Sequence, residues 1–362
     1  MKCCWFCFSI ICLFFISGCA GHSVMRPDMR RTNLATFEKT WQLVQKHYPY
    51  VEYKGLDWMA VYNQFLPQIQ NASPDEFVAL LSDMLKVLQD QHVYLKTTAG
   101  DVVTPYVSDD FKRANSLFSI QVVKKYLGAF QVSASGNIQY GRLPYNFGYI
   151  HISSFRSYKL MQEFYGLQSF IDRTDGLIID IRNNTGGYCT NVYQLVSWFL
   201  EAPLEHPPFY VNGELQSTQP IPAYRPNPYK LPVVVLVNRV CYSSGDLFTL
   251  LMKQLPHLTV LGDTTGGGSA GANNHIPGNY ELPCGTILHL STIDFRDYDG
   301  KPWENVGIAP DITVEQSSVA LQRGIDRQLE SAYHYLRRMD TQVVAEKSTS
   351  DYESPVLFEM MP

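Results

Sequence analysis

The sequence predicts an α/β core preceded by a small helical subdomain, and two patterns carry that prediction. Between Leu34 and Leu88, apolar residues return at steps of three and four, the period of amphipathic helices. From Phe147 onward, short apolar runs alternate with helical stretches, the signature of buried, mainly parallel strands. Composition agrees: 362 residues with 45% hydrophobic and 17% charged is ordinary globular usage, which excludes a disordered chain and a multi-span membrane protein. A formal net charge of -5 provides no basic stripe for a phosphate backbone, so nucleic acid is not an expected partner.

The chain opens with Lys2, an apolar run from Trp5 to Ile16, and then Ser17-Gly18-Cys19. That run is too short to span a bilayer comfortably and has the shape of a secretory signal. Its ending resembles the bacterial lipobox, which implies a lipoprotein signal peptide over 1–19 with Cys19 lipidated. The mature chain would then be held in the cell envelope, facing the periplasm or the exterior. A plain signal peptide or an uncleaved anchor rich in cysteine is the alternative. Five of the eight cysteines lie in this segment, leaving Cys189, Cys241 and Cys284. Three thiols form at most one disulfide, and no Cys/His spacing suggests zinc, so they read as buried and inert. No metal or organic cofactor is expected.

Residues 20–33 are polar and read as a tether. Residues 34–91 form the helical subdomain. Its first helix carries Phe37, Trp41, Val44 and Tyr48, its second Trp58, Val61, Phe65 and Ile69, and its third Phe77, Leu81, Met84 and Leu88. Ser73-Pro74-Asp75-Glu76 starts the third, with Ser73 as cap and the acids complementing the dipole. Residues 92–146 are a strand-rich connector, with Phe118–Val123 and Ala129–Val132 as candidate strands. The core, 147–340, alternates strands at 147–152, 176–181, 233–237 and 259–261 with helices at 160–171, 192–200 and 245–255. A β-rich stretch from Thr286 to Ile293 and a last helix over 317–339 follow. Residues 341–362 read as a flexible tail.

Four segments could carry chemistry. In Val233–Asp246 a buried strand runs through Asn238-Arg-Val-Cys-Tyr-Ser243-Ser244-Gly245 into a helix, which places Ser243 at a helix N-terminus, where free amides can hold an oxyanion. Serine is equally a favoured cap there. In Asp180-Ile-Arg182-Asn-Asn-Thr-Gly186-Gly187, consecutive glycines allow their amides to face a reacting carbonyl, or the segment is an ordinary loop with Asp180 and Arg182 paired structurally. His92, in Leu88-Gln-Asp-Gln-His92, lies where the helical subdomain meets the core, a usual place for a cleft. Glu304 sits in a turn-rich stretch beside Trp303 and taken alone reads as a surface acid.

In order and spacing these segments resemble the C-terminal-processing (tail-specific) peptidase family, and within it the branch similar to the tricorn core protease. The likeness includes the Gly262-Asp-Thr-Thr-Gly266 loop and the Gly307-Ile-Ala-Pro-Asp311 ending. It implies a crotonase-like spiral core. The glycine-rich loop holds no lysine, so the Ser-Lys arrangement of many members is missing. The tricorn-like arrangement fits instead, implying Ser243 as nucleophile, His92 as general base and acid, and Glu304 orienting it. The oxyanion would be held by the amide of Ser244 and that of Gly186 or Gly187. The connector is too short for the PDZ module many members insert. The reading is therefore an exported serine peptidase acting on peptides or unfolded proteins. A non-catalytic ligand-binding member of the fold and an envelope esterase or amidase are the alternatives.

Overall fold

Seven strands build the sheet that positions the site, in the order Ile312–Thr313, Leu258–Gly262, Val233–Val237, Leu177–Asp180, Gly148–Ile152, Ile138–Arg142, Phe130–Val132. The computed structural model describes residues 27–271 and 278–350. The first five strands run parallel, and the last two join antiparallel. The strands over 148–152, 177–180 and 233–237 are buried along their whole length, which is why they read as continuous apolar runs. Alternate residues face opposite ways. Leu177, Ile179, Val233 and Val235 pack with the helices Cys189–Ser197 and Ser244–Met252, while Ile178, Val234 and Leu236 pack with Leu329 and Leu336 of the helix Arg327–Ser350.

Ahead of the sheet stand the helices Pro27–His47, Trp58–Asn71 and Pro74–Lys86. Asp57 caps the second by accepting from the Ala60 amide at 2.8 Å. The third is closed by Glu76, whose carboxylate accepts from the Ser73 amide at 2.9 Å and hydroxyl at 2.7 Å. The apolar face of this subdomain, with Phe37, Trp58, Leu81 and Leu88 fully or nearly fully buried, continues onto Leu95 and Leu288. Those two belong to a small antiparallel sheet ordered Asn279–Glu281, Ile287–His289, Tyr94–Lys96, Val102–Val103. A third sheet contains Ala270–Gly271, Ile293–Phe295, Phe209–Val211 and Glu214–Leu215.

Several expected boundaries move. The tether expected over 20–33 gives way to helix from Pro27, since proline suits a first turn and Asn33 already lies buried. Phe118–Val123 is not a strand: Ser119 accepts from the Val122 amide and starts a short helix over Ile120–Val123. The helix expected over 160–171 is two, Leu160–Tyr165 and Gln168–Ile171, parted at Gly166. The last helix is also two, Ser318–Gln322 and Arg327–Ser350, divided at Gly324 with φ +82°, and it continues ten residues into the expected tail. The signal segment and Cys19 lie outside the described residues. Cys189, Cys241 and Cys284 are free thiols, Cys241 buried and the other two partly exposed.

Behind the sheet's functional end lies a buried charge network. Arg182, without exposed surface, donates to Asp180 at 2.6 Å, to both oxygens of Asp326 at 2.9 Å and to Gln328 at 3.1 Å. Tyr149 donates to Asp180 at 2.7 Å. Asp180 and Arg182 are thus structural partners, and they fix the base of the loop that follows. Arg182→Met leaves two carboxylates buried without their cation and should cost about 3–5 kcal/mol in urea unfolding. A loss below about 1 kcal/mol would show that the network is not a structural anchor.

Candidate active site

The central strand Val233–Val237 delivers the chain into a turn held by its own side chains. Asn238 accepts from the amides of Asn183 and Val240, both at 3.1 Å, and donates to Asn183 Oδ1 at 2.8 Å. The Tyr242 amide donates to the Asn184 carbonyl at 3.2 Å. Two loops from adjacent parallel strands are thereby laced together at the carboxyl ends of those strands, where open α/β sheets place their sites.

Ser243 leaves this turn with φ +59° and ψ −118°, a conformation a non-glycine residue rarely holds unless its surroundings impose it. It occupies the cap position of the helix Ser244–Met252 but makes no capping hydrogen bond, and its hydroxyl has no hydrogen-bond partner among the described residues. Helix capping therefore does not explain this serine. Its neighbour Ser244 is engaged, donating to the Gly187 carbonyl at 2.8 Å.

The glycine turn lies directly against it. A Cβ on Gly186 would fall 2.9 Å from Ser243 Cβ and 2.9 Å from the Ser244 amide nitrogen, and one on Gly187 would fall 2.3 Å from the Arg156 nitrogen. Only glycine fits both, at φ +93° and +148°. The two amides differ in what they do. Gly186 donates to Asn184 Oδ1 at 2.8 Å, whereas the amides of Gly187 and Ser244 have no acceptor among the described residues. The choice between the two glycines, open in the sequence, narrows to Gly187 as the amide free to receive an anion.

His92 enters from the helical subdomain. Its ring lies on that of Tyr242, the residue before Ser243, with centroids 4.7 Å apart and planes tilted by 34°. Asp90, a residue to which the sequence reading gave no role, accepts from the His92 amide at 2.8 Å and from Ser291 Oγ at 2.8 Å. Its Oδ1 also lies 3.4 Å from His92 Nδ1. Burial disfavours the imidazolium, but the contact with Asp90 and the charges of Asp90, Glu304 and Asp246 outweigh it and raise the ring above its usual pKa of 6.5. Burial likewise opposes the Asp90 carboxylate, yet His92 and Lys54 hold it well below the ordinary carboxylate range.

Glu304 joins the same buried cluster without bonding the imidazole. Oε1 pairs with Lys54 Nζ at 3.0 Å, and Oε2 accepts from the Ser269 amide at 3.1 Å. Burial and the nearby Asp90 raise its pKa to about 7, against the opposing pull of Lys54 and His92. The glycine-rich loop beside it is fixed by Asp246, which accepts from Thr265 Oγ1 and from the amides of Gly267 at 2.9 Å and Gly268 at 3.0 Å. Burial raises Asp246 to about 6 despite those bonds. Gly268 in turn lies against the Tyr242 ring, where a Cβ would come within 2.5 Å of Cζ.

Ser243, Ser244, Gly186 and Gly187 therefore meet at one point, the His92 ring packs on Tyr242, the residue before Ser243, and Glu304 belongs to the same charge cluster as His92. The sequence missed Lys54 and Asp90. Asp90 stood inside the Leu-x-Asp-x-His segment, two residues from the histidine, and that spacing was the available signal.

Comparison with known proteins maps onto these two parts. Residues 146–314 match Peptidase family S41, and residues 30–86 match the Tricorn protease C1 domain. The tricorn protease of Thermoplasma volcanium is 32% identical over 186 residues, covering 51% of this chain and 17% of that protein. The chain thus spans less than a fifth of that relative. The carboxyl-terminal-processing protease of a Synechocystis species is 24% identical over 183 residues, 48% of this chain and 39% of that protein. A solved structure from Parabacteroides merdae, described as a candidate peptidase, superposes with a TM-score of 0.74 at 26% identity, covering 84% of this chain and 96% of that one. The α/β core with a leading helical region is thus the S41 peptidase fold.

Since Asp90 is what raises the imidazole, Asp90→Asn should bring the His92 pKa down, toward or below 6.5, in an NMR titration of the ring protons. An unchanged value would mean that the contact does not control the ring.

Proposed function

We propose that this chain, whose residues 146–314 match Peptidase family S41, hydrolyses peptide bonds through an acyl-enzyme on Ser243. The observation that carries this reading is a serine in left-handed backbone, released from capping, with two unoccupied amides beside it. His92 accepts the Ser243 proton as Oγ attacks the carbonyl carbon. The oxyanion that forms is held by the amides of Ser244 and Gly187. As the C–N bond breaks, His92 returns the proton to the departing amine. It then deprotonates the water that releases the acyl group. The orienting role expected of Glu304 is divided: Asp90 touches the ring, and Glu304 adds a second negative charge that favours the imidazolium.

The substrate class is a peptide or unfolded protein, and no cofactor takes part. We place the reaction in the cell envelope, with the chain lipid-anchored at Cys19. A diacylated cysteine gains about 0.8 kcal/mol per buried methylene, enough to retain the domain at a membrane while it works in water.

A fluorophosphonate probe should label the wild-type protein, and Ser243→Ala should abolish labelling and lower peptide kcat/KM by about 10⁴-fold or more. Persistent labelling in Ser243→Ala would sink the assignment. Hydrolysis of simple esters but not of any peptide would point to an esterase instead. Because His92 must be neutral to act as base and its pKa is raised, kcat/KM should climb with pH through a limb lying above 6.5. A limb below that value would contradict His92 as the base.

A further inference from the structure

Lys54 lies in the turn between the first two helices, where its amide donates to the Tyr50 carbonyl at 3.0 Å and Gly55 follows with φ +63°. Its side chain does not point to water. Only 9% exposed, it runs inward to Leu88 O at 2.7 Å, Tyr48 Oη at 2.9 Å, Glu304 Oε1 at 3.0 Å and, more weakly, Gln89 O at 3.4 Å. An ammonium has three protons, and here three short acceptors surround it, so the geometry fixes the direction of the group. A surface lysine gains little from such a pair, whereas a buried one is retained only where its charge is matched.

The matching charge is that of Glu304. This carboxylate is buried, faces the negative Asp90, and would take up a proton if its environment offered no compensation. Charged and titratable groups reach it from each element packed around it. Lys54, Tyr48 and Tyr50 come from the helical subdomain, Asp90 and His92 from the segment after its third helix, and Tyr242 from the nucleophile turn. Asp246 acts on the same imidazole. Within this group Lys54 is the ammonium at bonding distance from the carboxylate.

We propose that Lys54 is a positioning residue for the proposed Ser243 chemistry, keeping Glu304 anionic and seated against the glycine-rich loop, and leaving Asp90 to orient His92. The inference rests on the acyl-enzyme reading above. It assigns the helical subdomain a direct part in the reaction, because the ion pair joins residues 250 positions apart across the two parts of the fold. Removing the cation raises the proton affinity of Glu304, so the anionic form is reached only at higher pH.

The test is the rate of Ser243 labelling by a fluorophosphonate as a function of pH, in wild type, Lys54→Met, Lys54→Arg, Glu304→Gln and Lys54→Met/Glu304→Gln. Lys54→Met should label about tenfold more slowly at pH 7, with its acid limb moved upward by about one unit, and Lys54→Arg should restore most of both. In the Glu304→Gln background a neutral amide needs no cation, so adding Lys54→Met should change the rate less than about twofold. That comparison also serves if Lys54→Met alone fails to fold. Losses that multiply in the double variant, or a Lys54→Met limb that stays in place, would overturn the role of Lys54 while leaving the nucleophile standing. Failure of wild type to label at Ser243 would overturn the acyl-enzyme reading and this inference with it.

Discussion

The close approach of two turns, one after Asp180 and one after Val237, is the constraint on which the site depends. With Gly186 packed against the Cβ of Ser243, no other residue fits there, and Asn183, Asn184 and Asn238 lock the separation by hydrogen bonds between the loops. The strain stored in Ser243 is held by this packing and by the buried helix that follows. What it produces, among the described residues, is a hydroxyl without a structural task beside two amides without acceptors. Such donors, fixed in advance, stabilise developing charge without reorganising during the reaction.

A second unit, built from charge, reaches the first from the helical subdomain. Asp90, His92, Lys54 and Glu304 are all shielded, and the proton affinities of Asp90, His92 and Glu304 are moved by burial first and then by the charges around them. Two carboxylates share one imidazole and one ammonium. Desolvating these groups is costly, and well-packed apolar residues would often be no less stable. Their presence is therefore better explained by a proton that must move than by stability. In the proposed mechanism the subdomain would supply the base and part of its counter-charge, while the core would supply nucleophile and amides.

Much of this was legible in the sequence. The all-apolar runs at 148–152, 177–180 and 233–237 announced buried parallel strands, and the Gly-Gly and Tyr-Ser-Ser-Gly patterns marked the two turns. Phe118–Val123 misled because β-branched residues suggest strand, yet a serine cap and tertiary packing made a helical turn there. Lys54 could not be found by pattern, being a single lysine in a turn whose partner lies 250 residues away. The preference for Gly187 over Gly186 was equally hidden, since both permit positive φ and only the Asn184 side chain distinguishes their amides. Local spacing reveals which residue types can do chemistry, while long-range packing decides which atoms are free to do it.

The most direct measurement of the central claim is a crystal structure of the protein inactivated by a peptide boronate, which mimics the tetrahedral intermediate. The account predicts a covalent bond to Ser243 Oγ, with one boronate oxygen about 2.7–3.1 Å from the amides of both Gly187 and Ser244. Attachment at any other residue, or a boronate oxygen turned away from both amides, would contradict it.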